Sequence, residues 1–176
     1  MVWIKRLLMS LVAVLAVAAL GGMLLPREYH VERHIQITAA PHKVFALVAE
    51  PAQWKRWTVW NRRDPAMAIS YFGPASGAGA GWEWRSTSQG DGRMTLTQVE
   101  PPVRVRYDLY FPDWDDTTQG ELRFEPRDGG TRVSWLMDGR MGANPLMRWM
   151  GLLMDRLVGP DFEAGLNQLK PLAEAS

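Results

Sequence analysis

In this 176-residue chain, the side chains whose types and spacing point to a task are aromatic and sulfur-bearing. Eight of the nine tryptophans follow residue 27. Trp54, Trp57 and Trp60 recur every third residue. Trp82 and Trp84 are two apart and so share one face of a strand. Tyr107 and Trp135 occupy apolar positions of alternating segments. Rings give large contact area at low entropy cost, which suits the wall of a pocket for an apolar or amphipathic molecule. Any one ring, taken singly, suits an ordinary core better. Met137, Met141, Met147, Met150 and Met154 follow, with Phe162 beyond them. Methionine adapts to varied apolar ligands and fills core gaps equally well. The candidate ligand-binding set is therefore Trp54, Trp57, Trp60, Trp82, Trp84, Tyr107, Trp135, Met137, Met150, Met154 and Phe162. On this reading, Trp57→Ala or Trp84→Ala weakens binding with little loss of fold.

Other chemistries find less support. His30 and His34 share a strand face but stand about 13 Å apart, too far for one metal ion, and His42 lies near a helix start. Glu83 and Glu121 have Arg85 and Arg123 two residues on. Either pair suits a polar anchor inside a cavity, but cross-strand pairing on the solvent face is the favoured reading, because inward Trp82 and Trp84 turn Glu83 and Arg85 outward. Asp113, Asp115 and Asp116 lack the rest of a calcium loop. There is no nucleophile elbow, P-loop, paired-histidine zinc helix or dinucleotide fingerprint. No catalytic residue, metal site or cofactor is expected. The chain has no cysteine, which excludes disulfides, thiolate metal sites and a cysteine nucleophile. The net charge is +1, from 20 basic and 19 acidic residues. Setting aside Lys5, Arg6 and Arg27 leaves 17 against 19, or −2 for residues 28–176, which argues against nucleic acid as a partner.

Residues 7–25 carry no charge over 19 positions and span about 28 Å as a helix, close to a bilayer's hydrocarbon core. Lys5 and Arg6 precede them, so the N-terminus is expected inside and the rest outside, in a periplasmic or other extracytoplasmic space. A cleaved signal with small residues at Ala16-Val17-Ala18 is the alternative. Apolar residues continuing through Leu25 favour a retained single-pass anchor. Residues 1–27 are thus an anchor or signal segment, and residues 28–176 one domain.

That domain reads as α+β. Residues 28–38 alternate as a half-buried strand. Pro41 suits a first helical turn, and Val44, Phe45, Leu47 and Val48 follow at helical spacing. Pro51 ends that helix, and a short turn carries Trp54 and Trp57. Arg62-Arg63-Asp64-Pro65 reads as a loop. Six short strands follow, over 68–72, 82–86, 93–99, 103–111, 117–125 and 131–138, joined by glycine-, proline- or aspartate-rich turns as an antiparallel meander. Residues 145–172 form an amphipathic helix carrying Met147, Met150, Met154, Leu157, Phe162, Leu166 and Leu169, kinked or broken at Gly159-Pro160.

This order resembles the helix-grip fold of the START/Bet v 1-like superfamily, and most closely its SRPBCC or polyketide cyclase/dehydrase-like branch. The resemblance covers residues 28–172. It rests on Ile37-Thr38-Ala39-Ala40-Pro41-His42-Lys43-Val44-Phe45-Ala46-Leu47-Val48 and on Trp54-Lys55-Arg56-Trp57. Later landmarks are Gly77-Ala78-Gly79, Gly92-Arg93-Met94-Thr95, Glu100-Pro101-Pro102 and Gly130-Thr131-Arg132-Val133-Ser134-Trp135, followed by a closing helix around Asp161-Phe162-Glu163-Ala164-Gly165-Leu166. The resemblance implies a curved antiparallel sheet of about seven strands around a long C-terminal helix, with a deep cavity between them. Fold does not fix function here, because the superfamily includes carriers, receptors, cyclases and chaperone cofactors. The expected partner is a hydrophobic or amphipathic small molecule such as a lipid, with the N-terminal helix in the membrane. The alternatives are a cyclase or dehydratase, with Glu83 or Glu121 as its carboxylate, and a protein-interaction module anchored by Trp60 or Trp114.

Overall fold

The computed structural model describes residues 2–114 and 116–175. Of the acidic turn expected at 113–116, Asp115 and the side chains of Trp114 and Asp116 lie outside the described residues.

Helix α1 (Val2–Leu24) comes first. Its stretch Trp3–Leu24 is long and apolar enough to cross a membrane, and a signal helix has the same features. Strand β1 (Glu28–Ile37) follows, then α2 (Pro41–Ala49), α3 (Pro51–Trp57) and the one-turn α4 (Trp60–Arg63). Proline occupies the first turn of both α2 and α3, where its missing N–H costs nothing. Arg62 and Arg63 are helical rather than loop. Asp64 then anchors the next turn, accepting hydrogen bonds from the Ser86 hydroxyl (2.5 Å) and the Ala66 amide (3.0 Å).

Six strands complete the sheet: β2 (Ala68–Phe72), β3 (Gly81–Arg85), β4 (Gly92–Glu100), β5 (Arg104–Phe111), β6 (Asp116–Arg127) and β7 (Gly130–Arg140). All pairings are antiparallel, in the order β1-β7-β6-β5-β4-β3-β2. The meander is therefore present, and β1 closes it beside β7. Alternation sends Val105, Tyr107, Leu122, Phe124, Val133 and Trp135 to the inner face, where they are buried.

The C-terminal segment differs from the expected single helix. It runs through a 3₁₀ turn (Pro145–Met147), α5 (Arg148–Gly151) and α6 (Met154–Glu174). The break falls at Leu152-Leu153, not at Gly159-Pro160, which lie inside α6. Tertiary ties explain the shift. Before the break, Arg148 and Trp149 bond to α1. After it, Arg33 of β1 grips Asp155 through two hydrogen bonds of 2.7 and 3.2 Å. The chain must turn between these two attachments. At Gly159 a Cβ would sit 2.0 Å from the Arg33 guanidinium, so glycine leaves room for that side chain to lie over α6. Proline keeps a helical φ and forgoes one backbone bond, which this packing tolerates. The buried stripe of α6, Phe162, Leu166, Leu169 and Ala173, then covers the sheet's inner face.

Candidate functional site

The sheet and α6 do not close over their whole length. Towards the start of α6 they separate around a cavity of about 580 Å³, within the roughly 300–1,000 Å³ usual for small-molecule sites. Its floor is the inner face of the sheet, including Ile69, Trp82, Trp84, Met94, Tyr107, Leu109 and Met137. Trp54, Lys55, Thr58, Trp60, Asn61 and Arg63 supply the side formed by α3 and α4. Met147, Met150, Met154, Leu157, Val158, Asp161 and Phe162 form the C-terminal side.

A pairing of rings with glycines shapes the floor. Tyr29 stands opposite Gly139, Trp84 opposite Gly92, and Tyr107 opposite Gly120 across neighbouring strands. In each case a Cβ on the glycine would lie 2.1 Å from a ring atom. The rings therefore lie down over bare backbone instead of standing up into the cavity. This is the cross-strand shielding of glycine by aromatic side chains. It turns three bulky residues into flooring and leaves volume above them.

Hydrogen bonds hold the rings in place. Trp54 donates to the Val48 carbonyl (2.8 Å), Trp84 to the Gly90 carbonyl (3.0 Å), and Trp135 to the Tyr107 hydroxyl (2.8 Å). Burial pushes the Tyr107 phenol well above its ordinary pKa, and the bond from Trp135 offsets this only in part. Burial also raises that of Tyr71. Both are neutral phenols at physiological pH. The polar part of the wall centres on Asp161. Arg63 embraces its carboxylate with both terminal nitrogens, one at 2.7 Å, and the Trp60 indole donates to it at 3.2 Å. Lys55, Asn61 and Gln89 add further polar groups. The wall is thus apolar with a short polar arc, suited to an amphipathic guest.

Residues 28–174 match the model of a family described as "Polyketide cyclase / dehydrase and lipid transport". The chain belongs to this family. Similar solved structures include the Aha1 dimer from Colwellia psychrerythraea, with 18% identity over 82% of this chain and 96% of that one, at a TM-score of 0.57. A protein from Thermobifida fusca shares 18% identity over 82% and 92% of the two chains, at 0.61. Ara h 8.0201 shares 13% over 81% and 97%, at 0.56. Likeness at these identities is one of fold, and it is the Bet v 1-like helix grip. The search of curated proteins returned no match.

Within this polyketide cyclase and lipid transport fold, nine of the eleven residues singled out from sequence border the cavity: Trp54, Trp60, Trp82, Trp84, Tyr107, Met137, Met150, Met154 and Phe162. Met141 and Met147 border it as well. Trp57 and Trp135 do not. Both are fully buried behind the wall, where Trp135 stacks on Phe162 (4.0 Å between centroids) and Trp57 meets Trp135 edge-on at 5.2 Å. The spacing that put Trp54 and Trp57 on one helix face holds. Both rings meet Trp135, but Trp54 also packs against Trp82 and Tyr107 of the floor, 5.2 and 5.5 Å between centroids, and so borders the open space.

The carboxylates weighed as cavity anchors face away from the cavity. Glu83 is exposed and pairs with Arg93 across the strands at 3.1 Å. Glu121 lies on the outer face under Arg106 (2.5 Å) and Arg123. Burial would raise its pKa, but hydrogen bonds from the two arginines outweigh this and hold it below the ordinary carboxylate value. Sequence reasoning missed Asp161, Arg63 and the three glycines. The glycines had a legible signal: each faces a ring on the next strand once the register is drawn.

Proposed function

We propose that this chain is a membrane-anchored domain that takes a hydrophobic or amphipathic small molecule, such as a lipid, into the cavity between sheet and C-terminal helix. Residues 1–27 hold residues 28–176 at the extracytoplasmic face of a membrane, with Lys5 and Arg6 on the inner side. The observation that carries the reading is the cavity itself: about 580 Å³, walled mainly by rings and thioethers, with its charged groups, Lys55, Arg63 and Asp161, on the side formed by α3, α4 and α6. The apolar part of a guest lies over Trp82, Trp84 and the methionines. Its polar end meets Lys55, Arg63 and Asn61. Tyr107 accepts from Trp135 and keeps its own O–H as a donor to a buried carbonyl or hydroxyl of the guest. The family description supports this reading through lipid transport. Its other half, cyclase or dehydrase chemistry, needs a free acid or base beside the substrate. Among the described lining residues the one carboxylate is Asp161, and Arg63 and Trp60 already occupy it.

A diazirine-bearing fatty acid tests the reading on the full chain in detergent micelles. Adducts mapped by mass spectrometry to Met94, Leu109 or Trp82, which micelle contact cannot reach, are the expected result. They should disappear in Leu109→Trp, which fills the cavity. Adducts confined to α1 and residues 146–157 would overturn it.

A further inference from the structure

Beyond α1, the described residues expose nine large hydrophobic side chains, and seven of them fall within residues 146–157. Leu146, Trp149, Met150, Leu152, Leu153 and Leu157 are each between 39% and 55% exposed. Scattered apolar residues need no explanation, but a contiguous set marks a surface that something covers. The segment carrying them is attached directly to the end of α1. Arg148 is buried, and its guanidinium donates to the carbonyls of Gly22 (3.3 Å), Met23 (2.9 Å) and Leu25 (3.4 Å). These carbonyls lie at the C-terminal end of α1, where the helix ladder runs out and a cation complements the helix dipole. The Trp149 indole donates to the Ala18 carbonyl at 2.9 Å. Gly21 and Gly22 provide the seat, since a Cβ on Gly22 would lie 2.1 Å from the Pro145 carbonyl oxygen.

This geometry fixes a depth. Ala18 lies six residues before the end of α1, or about 9 Å along the helix axis. Trp149 is level with it, so residues 145–151 run beside the last turns of α1, and Leu152-Leu153 follow directly. A helix spanning the bilayer would carry them into the outer boundary between headgroups and acyl chains, roughly 5–10 Å deep, where interfacial apolar segments rest and tryptophan is enriched. An apolar groove lined by Ala13, Val14, Val17, Ala18, Gly21 and Trp149 continues down the same flank of α1. Met150 and Leu157 belong both to this surface and to the cavity wall.

We propose that residues 146–157 are a bilayer-seated lip of the cavity, fixed against α1 by Arg148 and Trp149, through which the guest passes between lipid and cavity without crossing water. This rests on the reading of α1 as a membrane span. The occupant is a lipid surface, because the flank of α1 and the patch form one continuous apolar face.

The chain has no cysteine, so any introduced thiol is the single labelling site. The full chain is placed in phosphatidylcholine vesicles whose acyl chains carry a doxyl quencher. An environment-sensitive fluorophore is attached in turn at Leu153→Cys, at Val12→Cys in mid-α1, and at Arg127→Cys near the far hairpin. That hairpin stands about 33 Å from the membrane end of β7. The expected result is loss of most fluorescence at Leu153 and Val12 and little loss at Arg127. Quenching at Val12 without Leu153 would overturn the lip while leaving the anchor intact. Quenching at Leu153 without Val12 would overturn the span and, with it, the lip as a surface set at its depth by α1. Quenching at neither removes both. A Leu153 label shielded from both doxyl and aqueous iodide would mean that protein covers the patch, which also overturns the proposal. Leu152→Asp/Leu153→Asp supplies a second readout, since it changes only exposed side chains. Its cross-linking by the diazirine-bearing fatty acid supplied in phosphatidylcholine vesicles should fall several-fold, while cross-linking by the same fatty acid supplied in detergent stays unchanged.

Discussion

Trp135 and Trp84 project from the inner face of one sheet into different surroundings. Trp135, on β7, is fully buried: it stacks on Phe162, meets Trp57 and Trp60 edge-on, and spends its N–H on Tyr107. Trp84, on β3, is half-buried, lies over Gly92, and meets Phe111 edge-on at 5.9 Å with open space above it. The difference lies in what covers each strand. The later turns of α6 press Phe162, Leu166 and Leu169 onto β1 and β7, whereas the broken start of the C-terminal segment is held out towards α1 by Arg148. One sheet thus has a packed half, where rings give stability, and an open half, where rings give contact area to a guest. The fold puts its volume where its helix is anchored elsewhere.

The largest effect should come from breaking the packed half. Trp135→Ala removes a fully buried ring, its stack and the donor to Tyr107, and should cost about 3–5 kcal/mol of unfolding free energy in denaturant titration. Trp57→Ala belongs in the same range, contrary to the expectation that it leaves the fold intact, because no cavity relieves its site. If either variant unfolds at the wild-type midpoint, the division into two halves fails.

Next comes the floor. Gly120→Val places branched carbons where the Tyr107 ring lies, with the nearest ring atom 2.1 Å from the added Cβ. The ring must rise into the cavity, at a cost of about 1–3 kcal/mol of overpacking strain. The same variant should lose fatty-acid cross-linking at Leu109. A destabilised protein that still labels Leu109 fully would show that these glycines do not make the volume.

Trp84→Ala probes the open half. Its stability cost should be about 1 kcal/mol, since the ring already borders space. Affinity for an apolar probe, measured by calorimetry on the full chain in detergent, should fall about 10-fold, the equivalent of roughly 1.4 kcal/mol of lost ring contact. The reverse pattern, large destabilisation with unchanged affinity, would make Trp84 a core residue like Trp135.

Much of this contrast was legible in the sequence, and its limits have physical reasons. Alternation in β5 and β7 assigned Tyr107 and Trp135 to the inner face, and a helix was correctly begun at Pro41, whereas Pro51, read as ending that helix, also opens α3. Local periodicity says which face a residue occupies, not whether a partner arrives to cover it. Trp54 and Trp57 look alike by that measure and both meet Trp135; what separates them is that Trp54 also packs against Trp82 and Tyr107 of the cavity floor. The break at Leu152-Leu153 was hidden for a related reason. It depends on Arg148 reaching carbonyls more than 120 residues away, while Gly159-Pro160, a strong local breaker, is overridden by Arg33 on β1. Arg148 did leave a trace, as a lone cation among Leu146, Met147, Trp149 and Met150.

The smallest effect tests whether the outer face is indifferent to this division. His30 of β1 sits opposite Asp138 of β7, with 2.7 Å between Nδ1 and the carboxylate. The hydrogen bond to Asp138 raises the histidine's pKa against a modest lowering by burial, and Glu32 adds to the rise. A histidine whose folded pKa exceeds its unfolded value stabilises the protein below about pH 6.5 and loses that contribution as pH rises through the folded value. Both side chains are well exposed, so solvent screening limits the contribution to about 0.2–1 kcal/mol. The Tm difference between the wild type and Asp138→Asn should therefore be present near pH 5.5 and gone near pH 8. Probe affinity should match between the two proteins at both values, because His30 and Asp138 point away from the cavity that Tyr29 and Met137 border on the other side of the same strands. A pH-dependent affinity that vanishes in Asp138→Asn would mean that the sheet transmits charge on its outer face to the floor beneath the guest, and the open half would then be tuned from outside rather than set by α6 alone.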